Sequence, residues 1–331
     1  MRICQVMAGD EEGGLETHFV DLANGLAALG DDVAVIAHPR YRSRFATDVE
    51  FRDLDLTRNR RNPFLRRRLK RLIDSVEPDI VHAHAGKAAA LVASVDPSCR
   101  TVGTVHGLKK DLSAYRRFDA VISVSRGVVE GLDHPVKTVV YNGVHPGPKA
   151  TTGAELRAIF GIPPETTVTL AAGRLVRVKG YDRLIGLWDD GSGHLLIAGD
   201  GPERGHLESL AGGKPVTLAG FRADVRSLMG GADLMVFASE REGLSYALAE
   251  ALQARLPVVS TPVAGAEELL PPSHLAEIGK LGNPISTCLD DPRAARERMR
   301  ETFDWAAGAL TVDRMVRSTR AVYAGREQAT P

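Results

Sequence analysis

The sequence predicts an α/β protein with two Rossmann-like domains, each a doubly wound parallel sheet with helices on both faces. Short apolar strands alternate with amphipathic helical stretches along nearly all of the 331 residues, which is the pattern of such sheets. The pattern occurs twice, with an interruption at 145–148, and the length suits two domains. We therefore expect one domain at 1–147, a second at 148–308, and a last helix in 309–331 that packs back on the first.

Each element is predicted from its own pattern of apolar residues. In the first series we expect strands at 2–8, 33–37, 79–82, 101–105, 119–124 and 137–141, and helices at 15–29, 64–76, 86–95 and 125–131. In the second series we expect strands at 167–173, 194–198, 215–218, 233–237 and 257–260, and helices at 179–187, 202–211, 223–230 and 243–254. Sheets of this kind bind ligands at the carboxyl ends of their strands, so the segments just after strands are the candidates for function.

Composition indicates a cytoplasmic protein. Apolar residues make up 44% and charged residues 25%, and the formal net charge is zero, so nothing global points to nucleic acid. The three cysteines have neither metal nor disulfide spacing, which fits a reducing compartment. The sequence opens on a strand pattern instead of a signal peptide, and no apolar run reaches the roughly 20 residues of a membrane-spanning helix.

A paired-glycine loop follows the first predicted strand. Gly13 and Gly14 stand directly before a predicted helix. Glycine lets the backbone approach a ligand closely, and a helix N-terminus attracts anions. The loop lacks both the G-x-G-x-x-G fingerprint and the ending of a P-loop. It indicates either an anion-binding loop or a turn that simply requires glycine.

Two cations follow the first strand of the second series. Arg174 and Lys179 stand five positions apart between a strand and a helix. A guanidinium fork together with a point charge suits a diphosphate. The alternative is a pair of solvated surface cations, which is the better interpretation for Arg177 between them.

Two glutamates flank the start of a further predicted helix. If the helix begins at Gly243, the N–H groups of Gly243, Leu244 and Ser245 are available to phosphate oxygens. Glu242 precedes this helix and Glu250 lies two turns inside it, about 12 Å further along the axis. The two carboxylates could therefore hold opposite ends of an extended ligand. Glu250 stands among apolar residues, where a carboxylate is costly unless it is paired, and this favours function over an exposed helical glutamate.

These segments together resemble the retaining glycosyltransferases of family 4, whose two Rossmann-like domains face each other across a cleft in the GT-B arrangement. The resemblance covers nearly the whole chain. The motifs that carry it are Glu242 to Glu250 with the E-x7-E spacing, Gly173–Gly180, Ala198–Glu203, and weaker matches at 79–84, 121–125 and 141–144. The chain departs from the family at Arg255, where a small residue is usual, and at 264–267, where two adjacent glycines are usual.

The resemblance implies a role for each matching residue. Arg174 and Lys179 hold the diphosphate, Glu242 the hydroxyls of the donor sugar, and Glu250 those of the ribose. His106 matches the active-site histidine beside the transferred sugar, and it completes a catalytic set with Arg174, Lys179 and Glu242. The other positions expected to line the donor pocket are Gly13, Gly14, Phe221, Arg222, Gly243, Leu244 and Ser245.

The reaction implied is transfer of a hexose or N-acetylhexosamine, with retention, from a nucleotide-diphosphate sugar to a lipid-linked or lipopolysaccharide glycan of the envelope. UDP is the default nucleotide; the first domain binds the acceptor and the second the donor. Arg174, Lys179 and a helix dipole can neutralise the leaving diphosphate, so we expect no metal and no cofactor. Asp53 and Asp55 have the spacing of a metal-binding Asp-x-Asp motif, but they match nothing in the family and are interpreted as surface residues.

A basic segment at 58–71 contains eight basic residues and no acidic one. Apolar residues at helical spacing, Phe64 among them, allow one face to pack on the sheet. The opposite face then carries Arg66, Arg67, Arg68, Lys70 and Arg71. An anionic membrane or the phosphates of a lipid-linked acceptor would offset this charge, and a solvated face is the alternative. We expect peripheral attachment to the inner face of the cytoplasmic membrane.

Two other functions remain open from the sequence. One is a nucleotide-sugar epimerase or hydrolase of the same fold, and the other a non-catalytic nucleotide-sugar-binding protein at the membrane. A soluble epimerase has no use for a basic membrane face. The intact set of charged residues and His106 argues against a degenerate site.

Overall fold

A computed structural model describes residues 1–57, 59–108, 111–189 and 191–326. The chain forms two compact units. The first comprises Met1–Gly143 together with the chain from Thr311 onward, and the second comprises Val144–Leu310. Within the described residues, no helix combines the length and the apolar character needed to cross a membrane.

The first unit is built on a parallel sheet of seven strands. These are β1 (Arg2–Met7), β2 (Asp32–Ala37), β3 (Val49–Asp53), β4 (Ile80–His84), β5 (Arg100–Val105), β6 (Ala120–Ser123) and β7 (Lys137–Val139). Their order is β3-β2-β1-β4-β5-β6-β7, so the order reverses between β1 and β4. The central strands β1, β4 and β5 are buried along nearly their whole length because both faces of the sheet are covered.

Three helices of the first unit follow strands: α1 (Gly14–Ala28), α2 (Pro63–Val76) and α3 (Ala85–Val95). The start of α2 is specified locally, because the Asn62 side chain accepts hydrogen bonds from the N–H groups of Phe64 and Leu65, and Pro63 occupies the first helical position. Leu65, Leu69, Ile73 and Val76 form its buried face.

The sequence analysis did not predict strand β3, and it predicted an α-helix at 125–131 where the structure has none. Strand β3 is an edge strand in which only Val49 is fully buried, so it lacks the apolar run by which strands were recognised. The helix predicted at 125–131 is wrong, because the structure has only a short 3-10 turn, Arg126–Val129, at this place.

The second unit is built on a parallel sheet of five strands in the order β10-β9-β8-β11-β12. The strands are β8 (Val168–Ala172), β9 (His194–Ala198), β10 (Val216–Gly220), β11 (Leu234–Phe237) and β12 (Val258–Ser260). The helices are α4 (Gly153–Phe160), α5 (Tyr181–Gly186), α6 (Arg204–Ala211), α7 (Val225–Leu228), α8 (Tyr246–Gln253), α9 (Ala264–Leu269), α10 (Gly282–Asp290), α11 (Pro292–Arg298) and α12 (Arg300–Ala309). Two parallel α/β sheets confirm the predicted fold class.

The terminal helix α13 (Val312–Tyr323) belongs to the first unit and packs along α1. The close approach depends on Gly25 of α1, where a Cβ would lie 2.5 Å from Val316 Cγ2. An ion pair holds α13 in place, with Arg320 Nε 2.7 Å from Asp31 Oδ2. The Tyr323 hydroxyl lies 2.6 Å from His82 Nδ1.

Candidate functional site

The paired-glycine loop lies at the carboxyl end of β1, with α1 beginning at Gly14. The carboxylate of Glu16, in the first turn of α1, fills the space under this loop. A Cβ on Gly9 or Gly13 would lie 3.3 or 3.4 Å from its oxygens, so glycine here lets the loop close over Glu16. Glu16 is only 5% exposed, and burial raises the pKa of its carboxyl group. The sequence analysis missed this residue, although an acid just inside a helix after Gly-Gly was a visible signal.

His106 follows β5 and is half-buried among other histidines. Its ring centroid lies 4.6 Å from that of His18 on α1 and 5.6 Å from that of His84 at the end of β4. A fourth ring, His82, lies 4.1 Å from His84. His18, His82 and His84 were not singled out from the sequence. A His-x-His pair at a strand end was the available signal.

Burial keeps the inner histidines neutral. Desolvation lowers the pKa of His18 to about 4, against the opposing effect of its hydrogen bond to Asn142. It also lowers the pKa values of His82 and His84 well below the ordinary value. These three rings are therefore neutral near neutral pH, and none of them contributes a positive charge.

In the second unit, the segments after β8 and β11 meet in an ion pair. Lys179 Nζ lies 2.6 Å from Glu242 Oε2, and the Ser239 hydroxyl lies 3.3 Å from the same oxygen. The pair is half-buried, with the side chains 19% and 24% exposed. Two residues that were predicted from separate motifs are thus brought together by the fold.

Gly180 explains why these two segments can approach each other. Its φ is +65°, and a Cβ there would lie 2.2 Å from the Ala238 carbonyl oxygen. Beside it, the Glu240 N–H donates to the Val178 carbonyl at 2.9 Å. The backbone itself therefore fixes the positions of the side chains that form the ion pair.

Arg174 is exposed on a loop that packs against the segment after β9. The Leu175 N–H donates to the Asp200 carbonyl at 2.8 Å. A Cβ on Gly199 would lie 1.9 Å from the Gly173 carbonyl oxygen, so this contact requires glycine. The motifs Gly173–Gly180 and Ala198–Glu203 therefore form neighbouring loops at one edge of the sheet.

Glu250 lies on α8 and faces Arg226 of α7. Glu250 Oε1 is 3.5 Å from Arg226 Nε, and the glutamate side chain is 21% exposed. Burial raises the pKa of the Glu250 carboxyl to about 7, although Arg226 acts in the opposite direction. The partner that a carboxylate in an apolar helix requires is thus present, and the acid still titrates near neutrality.

The predicted helix start at Gly243 is wrong. Helix α8 begins at Tyr246, and Ser245 is its N-cap residue. Gly243 and Leu244 are buried, and the Gly243 carbonyl accepts from the Gly265 N–H at 2.7 Å. The first-turn N–H groups of α8 therefore belong to residues from Tyr246 onward, and Gly243, Leu244 and Ser245 form the connection before it. Of the two adjacent glycines that are usual at 264–267, this chain keeps only Gly265. This is the glycine that the contact requires, because a Cβ at 265 would lie 2.3 Å from the Gly243 carbonyl oxygen.

Phe221 and Arg222 follow β10 and differ in exposure. The Phe221 ring is 78% exposed. Arg222 instead pairs with Asp224 at 2.5 Å, and its guanidinium lies 5.5 Å from the centre of the Phe160 ring. The arginine side chain is thus engaged locally, and the expected position of Phe221 and Arg222 in the donor pocket stays a prediction.

The cations predicted for the membrane face are all exposed on α2: Arg66, Arg67, Arg68, Lys70 and Arg71. Lys70 pairs with Asp74 at 3.1 Å. Phe64 was expected on the packed face, but its ring is 78% exposed, because the buried face of α2 is formed by Leu65, Leu69, Ile73 and Val76. Arg58 lies outside the described residues. Asp53 pairs with Arg42 at 2.7 Å, in agreement with its interpretation as a surface residue.

Comparison with known families identifies the chain. The model described as Glycosyltransferase Family 4 matches residues 12–147, and the model described as Glycosyl transferases group 1 matches residues 166–286. The chain belongs to the family 4 glycosyltransferases, which transfer sugars from nucleotide-sugar donors. This assignment decides for glycosyl transfer over an epimerase, a hydrolase or a non-catalytic binding protein.

Individual relatives agree with the family. The chain is 28% identical over 270 residues to the lipopolysaccharide core biosynthesis glycosyltransferase LpsE of Rhizobium meliloti, covering 76% of each chain. It is 24% identical to LpsD of the same organism, over 90% of this chain and 91% of the relative.

Solved structures show the same fold. Anabaena Alr3699/HepE in complex with UDP superposes with a TM-score of 0.82 at 20% identity, covering 98% of this chain and all of the other. WaaG, a glycosyltransferase involved in lipopolysaccharide biosynthesis, superposes with a TM-score of 0.74 at 17% identity, covering 98% and 100%. These neighbours confirm the GT-B fold.

Proposed function

We propose that the chain transfers a hexose or N-acetylhexosamine from a UDP-sugar to a lipid-linked or lipopolysaccharide glycan, with retention of configuration and without a metal. The half-buried Lys179–Glu242 pair is the observation that carries this proposal. The lysine ammonium, which suits a diphosphate, lies 2.6 Å from a carboxylate, which suits sugar hydroxyls. The ligands bound to HepE, UDP and UDP-glucose, favour this donor, and the part of LpsE and LpsD in lipopolysaccharide core biosynthesis favours this class of acceptor.

In the proposed donor site, Lys179 and the exposed guanidinium of Arg174 bind the diphosphate, and they stabilise its charge as the bond to the sugar breaks. Glu242 accepts hydrogen bonds from the sugar hydroxyls and Glu250 from the ribose. The segment 243–245 and Phe221–Arg222 line the same pocket. Gly13 and Gly14 of the first unit are proposed to contribute backbone N–H groups.

The proposed chemistry is a front-face displacement. The acceptor hydroxyl oxygen forms a bond to the anomeric carbon as the bond from that carbon to the phosphate oxygen breaks. The proton of the hydroxyl passes to the leaving phosphate oxygen, so no enzyme base is needed. Attack on the face that the phosphate leaves preserves the configuration. His106 is proposed to hydrogen-bond the transferred sugar and hold it for this attack.

A nucleotide screen tests the donor assignment. Thermal unfolding is followed with UDP, GDP, ADP and dTDP at equal concentrations, because a ligand that binds only the folded state raises Tm. We expect the largest rise with UDP and a smaller one in Lys179→Ala. A larger rise with GDP would replace UDP by GDP as the donor nucleotide. The absence of a rise with all four would contradict the proposed donor site.

We also propose that α2 docks the chain on an anionic membrane surface. Arg66, Arg67, Arg68 and Arg71 are exposed, and the apolar Phe64 ring stands exposed at the start of the same helix. Cations beside an exposed aromatic ring suit the headgroup region of anionic lipid. This surface gives a cytoplasmic enzyme access to a lipid-linked acceptor.

Vesicle sedimentation tests the docking surface. We expect binding to vesicles with phosphatidylglycerol, little binding to pure phosphatidylcholine, and loss of binding when Arg66, Arg67 and Arg68 are replaced by Glu. The matched control replaces the exposed Arg293, Arg296 and Arg300 by Glu, which changes the net charge equally. Equal loss in both triple variants would reduce the effect to net charge and contradict a specific surface.

A further inference from the structure

Three histidines of the first unit meet at the carboxyl ends of β4 and β5. His84 ends β4, His106 follows β5, and His18 reaches them from α1. One ring nitrogen of each lies within 4.8 Å of those of the other two. His18 and His84 are 1% exposed, and His106 is half-buried, so the cluster has one side towards solvent.

With the amide oxygens of Asn142 and Gln5 facing the two inner rings, each ring carries its proton on the nitrogen next to the amide. His18 Nδ1 lies 3.0 Å from the Asn142 amide oxygen, and His84 Nε2 lies 3.0 Å from the Gln5 amide oxygen. An amide oxygen only accepts, so these two nitrogens donate. The other nitrogens, His18 Nε2 and His84 Nδ1, therefore carry lone pairs.

Those two lone pairs are buried without a hydrogen-bond partner. An unsatisfied buried acceptor is costly and rare in folded proteins. Here there are two such acceptors, and both belong to the cluster with His106. Around a bound metal, each histidine usually binds the ion through one ring nitrogen. It donates the N–H of the other ring nitrogen to an oxygen acceptor such as a carbonyl.

The ring spacing fits one ion. With a zinc–nitrogen distance of about 2.05 Å, three imidazoles in a tetrahedral arrangement have ring centroids about 5.2 Å apart. The observed centroid distances are 4.6, 5.6 and 5.6 Å. The ligand nitrogens in such a site are about 3.3 Å apart. In this structure the nitrogens of each pair lie no more than 4.8 Å apart, so each pair needs to approach by at most about 1.5 Å.

We propose that His18, His84 and His106 form a binding site for one divalent transition-metal ion, with Zn²⁺ as the best match. Three imidazole ligands without a thiolate suit Zn²⁺ and its neighbours, and disfavour Mg²⁺ and Ca²⁺. The half-exposed side at His106 leaves a fourth position for water. Asn142 and Gln5 act as the second shell that holds the two inner rings.

Metal binding is tested on the full chain, which is stripped with a chelator, loaded with excess Zn²⁺ and then dialysed against metal-free buffer. We expect one Zn²⁺ retained per chain by elemental analysis, and Co²⁺ to give the intense d–d absorption of a tetrahedral site that Zn²⁺ abolishes. Mg²⁺ should not compete. Folded wild-type protein that retains no Zn²⁺ would overturn the proposal.

Variants separate this site from adventitious binding. His18→Gln and His84→Gln should lose the ion, and Asn142→Ala should weaken binding about 10- to 100-fold. The matched control is His82→Gln, because His82 adjoins His84 but both its nitrogens are engaged, with Tyr323 at 2.6 Å and Thr104 at 2.7 Å. It should retain the ion. Retention in His84→Gln, or loss in folded His82→Gln, would overturn the proposed ligand set.

If the inner variants do not fold, the half-buried His106→Gln serves instead and must also lose the ion.

One consequence rests on the proposed function: an ion on His106 competes with its contact to the sugar, so Zn²⁺ should inhibit transfer and a chelator restore it. Metal retention is measured without donor. Its failure therefore leaves the transferase proposal intact, and an enzyme that binds zinc but stays inactive after the zinc has been removed contradicts only the transferase proposal.

Discussion

Glu250 is the residue whose protonation state bears most directly on the proposed donor site. Its carboxyl has a pKa of about 7 because burial disfavours the charge more than Arg226 stabilises it. A carboxylate accepts hydrogen bonds from hydroxyl groups more strongly than the neutral acid does. Between pH 6 and pH 8 the group passes from mostly protonated to mostly ionised, so ribose binding should strengthen over this range.

We predict that the affinity for UDP rises with pH through 7 in the wild type more than in Glu250→Gln. A hydrogen bond to a charged group contributes about 1.5–3 kcal/mol, so the ratio of the two affinities should increase about tenfold or more. Calorimetric titration at several pH values measures it, and the ratio cancels the titration of the nucleotide phosphate. A ratio that does not change with pH would remove Glu250 from the ribose site.

His106 is predicted to act on turnover more than on nucleotide binding. Because its proposed contact is to the transferred sugar, His106→Ala should lower kcat for transfer by about 10- to 100-fold and leave the Kd for UDP nearly unchanged. Steady-state kinetics and UDP titration supply the two values. A parallel loss of UDP affinity would instead indicate a structural role within the histidine cluster.

At the scale of elements, the loops after β8 and β11 are joined through Gly180. We predict that Gly180→Ala lowers the free energy of unfolding by about 2 kcal/mol or more, because a Cβ meets the Ala238 carbonyl and φ is positive. UDP affinity should fall with it, since the Lys179–Glu242 geometry depends on this contact. Gly186→Ala is the control, since a Cβ there meets no atom within 4 Å. Equal Tm values for the two variants would show that the contact is not required.

The sequence predicted elements well where one physical signal dominates. Buried strands such as β2 and β9 are apolar runs after their first residue, and their positions agree with the structure within two residues. The edge strand β3 carries no such run, so it was missed. The start of α8 was placed three residues early, because a glycine before an apolar stretch looks like a helix start. Ser245 occupies the N-cap position, but its side chain makes no capping hydrogen bond. The capping box of Thr152 and Glu155 before α4 was a readable signal that was overlooked.

At the scale of the whole molecule, the first unit is closed by a helix from the far end of the chain. Met315 and Val316 of α13 are buried in the core of this unit, and a Cβ on Gly143 would lie 2.3 Å from the Thr311 carbonyl oxygen. We predict that Met315→Ala destabilises the chain by about 2–5 kcal/mol, whereas the exposed Arg314→Ala changes stability by no more than about 0.5 kcal/mol. Scanning calorimetry compares them, and similar Tm values would contradict a structural role for α13.

The candidate site could be predicted only in part, because its contacts join residues that are distant in the sequence. Ordered motifs identified Lys179 and Glu242, but nothing local shows that residues 63 positions apart form an ion pair at 2.6 Å. The histidine cluster depends on β1, β4 and β5 being neighbours in the sheet order, so the sequence alone could not show that His18 and His84 meet beside His106. The family resemblance supplied His106 and left its surroundings unknown.

Transfer of labelled sugar tests the central proposal most directly. The chain is incubated with isolated envelope lipids and glycolipids and, separately, with labelled UDP-glucose, UDP-galactose, UDP-N-acetylglucosamine or GDP-mannose, with Glu242→Gln as the inactive control. The proposal predicts that one UDP-sugar labels the lipid fraction without added metal, and that Glu242→Gln loses this labelling. Labelling only from GDP-mannose would contradict the UDP donor, and equal labelling by Glu242→Gln would contradict the proposed site.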